Sequence, residues 1–264
     1  MTRYTDDFMW YELGIKELPK FLYHYTTFDS LEKILTNKTI QFSRLDIVND
    51  PDEASNDSIK QSKKLLYASC WTETENSIPM WNMYANNFEG VVIKAPINFF
   101  EGRNKPKIWE KGGATTLIKS FINIGMHTTK RINGPNKVCY NDDYLIQSIN
   151  SHGNGIFEFS SYDIGLFKKN IWNYENEWRF LISNIPSTIG DSIHIEEYIN
   201  FINEYIAEEI ERLYVKIDDD AFNEFEIITG KKFSPENRKQ LEQILIDNNL
   251  NIPIVESSIR INLK

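Results

Sequence analysis

The chain has 264 residues, 41% of them hydrophobic and 13% aromatic, which predicts a folded protein with a sizeable core and excludes a disordered chain. Lys and Arg number 29 against 38 Asp and Glu, and the resulting net charge of −9 disfavours general binding to duplex nucleic acid. The first ten residues hold no apolar signal segment and no apolar run is long enough to span a membrane, so we expect a cytoplasmic protein without a membrane partner.

The first elements along the chain are a strand, a helix and a second strand. An aromatic-rich strand over Phe21 to Tyr25 precedes a helix that Thr27 or Asp29 caps. The apolar face of this helix recurs at helical spacing, at Leu31, Ile34 and Leu35. The helix ends at Asn37 and Lys38, and Thr39 to Ser43 alternates as the second strand.

The middle of the chain contains two apolar runs and a short helix between them. Leu65 to Trp71 is continuous and apolar, which predicts a central strand. Pro79 suits the first turn of a helix that carries Trp81 and Tyr84, and Gly90 to Ile93 predicts another buried strand.

The rest of the chain mixes strands and helices irregularly. The stretch from Glu101 to Asn136 lacks clear periodicity and is interpreted as an excursion with one helix around Leu117 to Ile124. The later elements are expected as strand Lys137 to Tyr140, helices Tyr144 to Ile149 and Tyr162 to Asn170, strand Glu177 to Ile182, helix Ile195 to Glu211, strand Leu213 to Ile217, helix Pro235 to Asn248 capped by Ser234, and strand Val255 to Leu263. Without steady alternation, the pattern favours an α+β fold over a doubly wound sheet.

His24 is the first residue that could carry chemistry. It lies mid-strand between two tyrosines, and its imidazole could hydrogen-bond a sugar hydroxyl or act as a general base. A core histidine that bonds a neighbouring backbone carbonyl is the alternative, and the residue taken alone favours it.

Glu175 and Glu177 form the second candidate. They would project together if the strand already includes Glu175, because alternate residues of a strand share a face, and Arg179 shares it too. An exposed Glu-Arg ladder, worth little energetically, is the alternative. Aromatic residues crowd these charges, at Trp172, Tyr174, Trp178 and Phe180. We therefore expect the carboxylates to be partly shielded from water.

Two further pairs are candidates for ligand contacts. Trp81 and Tyr84 lie one helical turn apart and could stack on a flat heterocycle, or they could be core or subunit-contact aromatics. Arg44 could bind a pyrophosphate bidentately, with a surface salt bridge to Asp46 as the alternative. The four histidines and two cysteines lack the spacing of a zinc site, so we expect no metal. A nucleophilic pair of Cys70 with a histidine stays open, although a buried thiol would be inert.

The order of several motifs resembles a large bacterial family of unknown function over roughly Phe21 to Ile182. The motifs that carry the resemblance are Leu22-Tyr23-His24-Tyr25-Thr26, Phe42-Ser43-Arg44-Leu45, Asn49-Asp50-Pro51-Asp52-Glu53, Ser69-Cys70-Trp71-Thr72, Met80-Trp81-Asn82-Met83-Tyr84-Ala85 and Glu175-Asn176-Glu177-Trp178-Arg179-Phe180. That family in turn resembles the His-Tyr-Glu branch of the ADP-ribosyltransferase fold. Tyr25 departs from this pattern, because glycine is common at its position.

The resemblance implies a mixed or antiparallel split β-sheet with flanking helices in a single domain over residues 1–264. The catalytic-like core would cover about 21–183, with an α/β extension over about 191–264 packed on it. The implied substrate is NAD⁺, with ADP-ribose transferred to an unknown protein or nucleic-acid acceptor, in phage defence or a toxin system. A homodimer or an antitoxin partner stays open, and the alternative function is a non-catalytic module that binds a nucleotide or a partner.

The resemblance also implies roles for individual residues. Glu177 would be catalytic, Glu175 would orient the acceptor, and His24 would position the ribose. The residues expected to contact NAD⁺ are His24, Tyr25, Thr26, Arg44, Trp81 and Tyr84. Tyr84 is the first choice for stacking on nicotinamide and Trp81 the second, while Arg44 would meet the pyrophosphate.

Overall fold

The protein is described by a computed structural model that covers residues 17–50, 63–64, 66–100, 132–142, 150–152, 156–158, 165–183 and 211–261. The helices are α1 (Phe28–Asn37), α2 (Ile78–Tyr84) and α3 (Pro235–Asp247), with 3-10 segments at Leu45–Ile47, Asn170–Glu175 and Asp219–Glu224. The strands are β1 (Phe21–Thr26), β2 (Thr39–Arg44), β3 (Leu66–Thr72), β4 (Val91–Pro96), β5 (Ile132–Lys137), β6 (Cys139–Tyr140), β7 (Asn150–His152), β8 (Ile156–Glu158), β9 (Phe167–Lys168), β10 (Glu177–Ser183), β11 (Arg212–Lys216), β12 (Glu226–Thr229) and β13 (Ile254–Glu256).

Nine of the described strands form one mixed, mostly antiparallel sheet in the order β11-β2-β3-β1-β4-β12-β13, with β10 and β5 beside β3. Strand β10 pairs with β3 over its whole length, from Glu177 opposite Thr72 to Ser183 opposite Leu66. Since β10 occupies one edge of β3, strands β1 and β2 share the other edge. They meet β3 at different ends, β1 at Thr72 and β2 at Ala68. The sheet therefore divides between β1 and β2.

Helix α1 connects the two strands that separate. Thr27 caps it, with its hydroxyl accepting from the Ser30 N–H at 3.3 Å, and Lys38 ends it in the left-handed conformation at a φ of 53°. Leu31 and Leu35 on its inner face are buried in the main core of the sheet. The capped, amphipathic helix thus holds β1 and β2 in fixed positions.

The structure confirms the α+β class and most of the expected elements. The expected strands over Phe21 to Tyr25, Thr39 to Ser43, Leu65 to Trp71, Gly90 to Ile93 and Glu177 to Ile182 appear within a few residues of their expected bounds. Helix α3 begins after its expected cap, since the Ser234 hydroxyl accepts from the Asn237 N–H at 3.0 Å. The strand expected over Leu213 to Ile217 is β11.

The helix expected over Tyr162 to Asn170 is wrong in its described part. Phe167 and Lys168 form β9, which pairs in parallel with Cys139 and Tyr140 of β6. This pairing between distant segments outweighs the local helical preference. The expected strand over Val255 to Leu263 is also too long, because β13 ends at Glu256.

Some strands of the structure were not expected, and some expected helices lie outside the described residues. Strand β12 was not expected, and β5 lies in the stretch that showed no periodicity. The helices expected around Leu117 to Ile124 and over Tyr144 to Ile149 lie outside the described residues, as does Ile195 to Glu211 apart from its last residue.

Candidate functional site

A cleft of about 750 Å³ opens where β1 and β2 separate. Side chains from β1, α1, β2, β3 and β11 line it, together with α2, β9 and the segment around β10. The expected site residues that line it are His24, Tyr25, Thr26, Tyr84, Glu175 and Glu177. The cleft therefore brings together residues from three distant parts of the chain.

Four buried charged side chains form the inner end of the cleft: Glu175, Glu177, Lys168 and Arg179. The Lys168 ammonium donates to Oε2 of Glu175 and, at 3.2 Å, to Oε2 of Glu177. Arg179 donates from Nε to Oε1 of Glu177 at 2.8 Å and from Nη2 to Oε2 at 3.1 Å. Each carboxylate thus has a cationic partner, as burial of a charge requires.

The backbone conformation that brings the two glutamates together differs from the expected single strand. Glu175 ends the 3-10 segment Asn170–Glu175, and Asn176 takes the left-handed conformation at a φ of 45° before β10 begins at Glu177. The two carboxylates converge because the chain turns at Asn176, whereas the expectation placed them on one strand. The exposed Glu-Arg ladder is wrong, since Glu177 is 4% and Arg179 1% exposed.

Burial and neighbouring charges push the pKa values of the two glutamates apart. Burial alone would raise the pKa of Glu177, but Arg179 and Lys168 outweigh it and lower this pKa to about 2. Burial and the adjacent Glu177 charge raise the pKa of Glu175, and Lys168 and Tyr84 offset only part of that rise. Glu177 is therefore ionised at neutral pH, and Glu175 is the more readily protonated of the two.

His24 lies on the cleft wall with a fixed ring orientation. Its Nδ1 lies 2.9 Å from the carbonyl oxygen of Cys70, so this nitrogen carries the proton in the neutral ring. The Trp71 ring packs against it at a centroid distance of 5.0 Å. Burial lowers the pKa of His24, and the bond to Cys70 only partly opposes this. The bond to the backbone carbonyl agrees with the structural interpretation of His24, while its role towards a ligand stays a prediction.

Tyr25 and Thr26 line the cleft but are largely buried, at 5% and 7% exposure. The Tyr25 hydroxyl donates to the carbonyl oxygen of Glu75 at 2.5 Å and accepts from the Ser77 N–H at 3.0 Å. The Tyr25 side chain consequently ties the segment before α2 to β1.

Tyr84 and Trp81, the two aromatics of α2, have different positions. Tyr84 lines the cleft, and its hydroxyl donates to Oε1 of Glu175 at 2.5 Å. Trp81 is fully buried, stacks on Phe88 at 5.4 Å and is not among the lining residues. The structure thus places Tyr84 beside the carboxylates and Trp81 in the core.

Arg44 is not among the cleft-lining residues either. Its Nε donates to Oδ1 of Asp46 at 2.6 Å and its Nη2 to Oδ2 at 3.0 Å, and its side chain is only 9% exposed. The expected salt bridge to Asp46 is present, but it is not a surface pair, because the Arg44 side chain is buried.

Lys168 is the residue of the inner end that the sequence analysis missed. It was assigned to a helix, where its position relative to Glu175 and Glu177 carried no information. The available signal was weak: Lys168 directly follows the apolar residues Leu166 and Phe167, and a lysine that is buried beside such residues needs a charged partner.

Cys70 also lines the cleft. Its thiol lies beside Glu177, and burial, followed by the Glu177 charge, raises its pKa well above the usual range. The thiol is therefore protonated. Among the described residues, Cys70 contacts the His24 imidazole through its backbone carbonyl.

Residues 80–180 match a family described as "Protein of unknown function (DUF2971)". The match begins in α2 and ends in β10, so it contains Tyr84, Lys168, Glu175 and Glu177. It leaves out β1 with His24, so the resemblance expected from Phe21 onward stays a prediction there. Comparisons with curated proteins and with solved structures gave no match.

The described residues contain no group of three or more His, Cys, Asp or Glu side chains arranged to hold a metal ion. In the same part of the chain, no helix combines the length and apolarity needed to cross a membrane.

Proposed function

We propose that the cleft binds NAD⁺, cleaves the bond between nicotinamide and ribose, and transfers ADP-ribose to a macromolecular acceptor. The single observation that carries the proposal is the convergence of His24, Tyr84, Glu175 and Glu177 on one cleft. These residues come from segments that the sequence resemblance had linked to such a site, although they lie up to 153 positions apart (24 to 177). The division of the sheet between β1 and β2 also supports it.

The reaction needs a stable negative charge near the ribose. When the C1′–N bond breaks, its electron pair passes to the nicotinamide nitrogen and the ribose gains oxocarbenium character, as in glycoside cleavage. An anionic carboxylate that accepts a hydrogen bond from a ribose hydroxyl stabilises this charge where it develops. The pKa of about 2 supports Glu177 in that role, since it stays ionised at neutral pH.

The reaction also needs a group that accepts a proton from the acceptor. As the acceptor oxygen or nitrogen bonds to C1′, its proton has to pass to a base with a pKa closer to neutrality. Burial and the Glu177 charge raise the pKa of Glu175, which supports this role. His24, with Nδ1 facing the Cys70 carbonyl, would have Nε2 left for a ribose hydroxyl.

The cleft is compatible with NAD⁺ in size and charge. Its volume of about 750 Å³ lies within the usual range of ligand pockets. Four cationic side chains line it against two carboxylates, which suits a pyrophosphate. Arg44, the earlier choice for that pyrophosphate, is engaged by Asp46, so we assign it no role.

Incubation of the purified protein with labelled NAD⁺ and a bacterial lysate tests the proposal. We expect nicotinamide release and label in either the protein or the nucleic-acid fraction. Glu177→Gln, with its fold checked by circular dichroism, should abolish both, and Glu89→Gln at an exposed site outside the cleft should have no effect. Intact NAD⁺ with no label in either fraction would refute the transferase.

The second candidate is a module that binds a nucleotide or a partner without turnover. The observation in its favour is that both oxygens of each inner carboxylate already accept hydrogen bonds, from Arg179 and Lys168 for Glu177 and from Tyr84 and Lys168 for Glu175. Calorimetric binding of NAD⁺ without nicotinamide release would favour this module over the enzyme.

A further inference from the structure

The cleft has a second region, the outer wall, formed by four exposed side chains: Lys33, Gln41, Arg212 and Tyr214. Lys33 comes from α1, Gln41 from β2, and Arg212 and Tyr214 from β11. None of the four has a role in the proposed bond cleavage, although Lys33 and Arg212 are two of the four cations whose charge suits a pyrophosphate. These four side chains therefore need a role of their own.

Strand pairing places the β2 and β11 residues on one face. Arg212 lies opposite Ser43, and Tyr214 lies opposite Gln41 in the antiparallel pair. Directly opposite residues project to the same side of a sheet, and the alternating burial of β11 puts Arg212 and Tyr214 on its solvent side. Gln41 donates to the Ser43 hydroxyl at 2.9 Å, so these polar side chains form a continuous surface.

The outer wall is positively charged in a protein whose formal net charge is −9. The two cleft-lining carboxylates, Glu175 and Glu177, both lie at the inner end, where Lys168 and Arg179 neutralise them. Lys33 and Arg212 add positive charge at the open side, with no carboxylate among the described lining residues there. A cleft wall of one sign in an acidic protein concentrates ligands of the opposite charge.

Tyr214 adds an aromatic surface to this charge. Its side chain is 52% exposed and lines the cleft. A cationic groove next to an exposed aromatic ring is the combination that binds nucleotides by phosphate contact and base stacking.

We infer that the outer wall is a nucleotide-binding subsite, in which Lys33 and Arg212 hold a phosphate and Tyr214 stacks on the base. The ligand class is a phosphorylated nucleoside. It is either one nucleotide of a single-stranded nucleic acid or the AMP half of a dinucleotide. The inference goes beyond the proposed function, because the subsite binds its ligand whether or not the inner end turns NAD⁺ over.

Binding measurements on three variants test the subsite: Lys33→Ala, Arg212→Ala and Tyr214→Ala. One arm uses a fluorescently labelled single-stranded oligonucleotide in anisotropy titrations, and the other uses AMP in calorimetry. Tyr214→Ala should weaken binding by about fivefold or more, which corresponds to the loss of one stacked base. Arg212→Ala should lower the slope of log affinity against log salt for the oligonucleotide by roughly 0.7, the loss of one phosphate contact.

Lys239→Ala is the matched control, because Lys239 is an exposed cation on α3 outside the cleft, and it should leave both affinities unchanged. Weakening in the oligonucleotide arm alone supports a nucleic-acid nucleotide, and weakening in the AMP arm supports the dinucleotide. Wild-type protein that binds neither probe, or variants that bind as wild type does, would overturn the subsite. Nicotinamide release is not a readout here, so failure of the transferase proposal remains distinguishable.

Discussion

The inner end and the outer wall of the cleft both carry charged side chains, but in opposite environments. At the inner end, Lys168, Glu175, Glu177 and Arg179 are at most 5% exposed and bonded to one another. On the outer wall, Lys33 and Arg212 are exposed, and they make no ion pair within the described part of the chain. The same kind of charge is thus structural in one region and accessible in the other.

This difference separates the expected effects of substitution. A buried charge that loses its partner destabilises the folded state strongly, whereas an exposed charge contributes little. Substitutions at the inner end should therefore change stability and chemistry together. Those on the outer wall should change ligand binding alone.

The largest effect is expected for Lys168→Met. It leaves Glu175 and Glu177 facing each other without their shared cation, and we expect the free energy of unfolding to fall by about 3 kcal/mol. Urea denaturation measures it. Lys231→Met is the matched control, since Lys231 pairs with Glu256 at the surface, with side chains 28% and 64% exposed. It should cost less than about 1 kcal/mol. Equal losses in the two variants would contradict the structural role of the inner end.

The pH dependence of stability should have opposite signs for the two glutamates. The pKa of Glu177 is lowered from 4.5 to about 2, so its stabilising contribution is present above pH 4.5 and is lost as the pH falls towards 2. The pKa of Glu175 is raised above 4.5, so its contribution is complete below that value and is lost as the pH rises through the folded-state pKa.

Urea denaturation of Glu177→Gln and Glu175→Gln across a pH series checks these signs. Relative to wild type, Glu177→Gln should be most destabilised near neutral pH and less so at acid pH. Glu175→Gln should instead improve relative to wild type as the pH rises. Parallel pH profiles for the two variants would show that their environments do not differ in this way.

The smallest effect on stability is expected on the outer wall. Lys33→Ala and Arg212→Ala should change the free energy of unfolding by less than about 0.5 kcal/mol, because neither side chain is buried. Their thermal unfolding should therefore overlay that of wild type. A marked destabilisation would mean that these cations belong to the folded framework, and loss of ligand binding could then not be assigned to the subsite.

The sequence predicted those features that depend on local patterns. Ser234 was predicted as a cap, and Thr27 as one of two candidates with Asp29, because a side-chain oxygen before an amphipathic run satisfies free N–H groups. Glu175, Glu177 and Arg179 were singled out from their spacing and aromatic neighbours. The turn at Asn176 was not predicted, although asparagine tolerates the left-handed conformation; Lys137 of β5 bonds both its backbone and its side-chain oxygen.

The features that depend on pairing between strands distant in the chain could not be predicted from the sequence. Lys168 joins the inner end only because β9 pairs with β6, and Arg212 reaches the cleft only because β11 pairs with β2. The spacing of Trp81 and Tyr84 is the same whether a residue lines the cleft or packs in the core. Only the packing against Phe88 shows that Trp81 is the buried one. The sequence therefore predicted Glu175, Glu177 and Arg179 of the inner end, but not Lys168.

Nicotinamide release from NAD⁺ by wild-type protein and by Glu177→Gln, followed chromatographically, tests the proposed activity most directly. We expect release by the wild type, saturable in NAD⁺, and none by Glu177→Gln at a pH where that variant remains folded. Release at wild-type rates by the folded variant would contradict the role of Glu177. NAD⁺ left intact by the wild type would contradict the proposed activity itself.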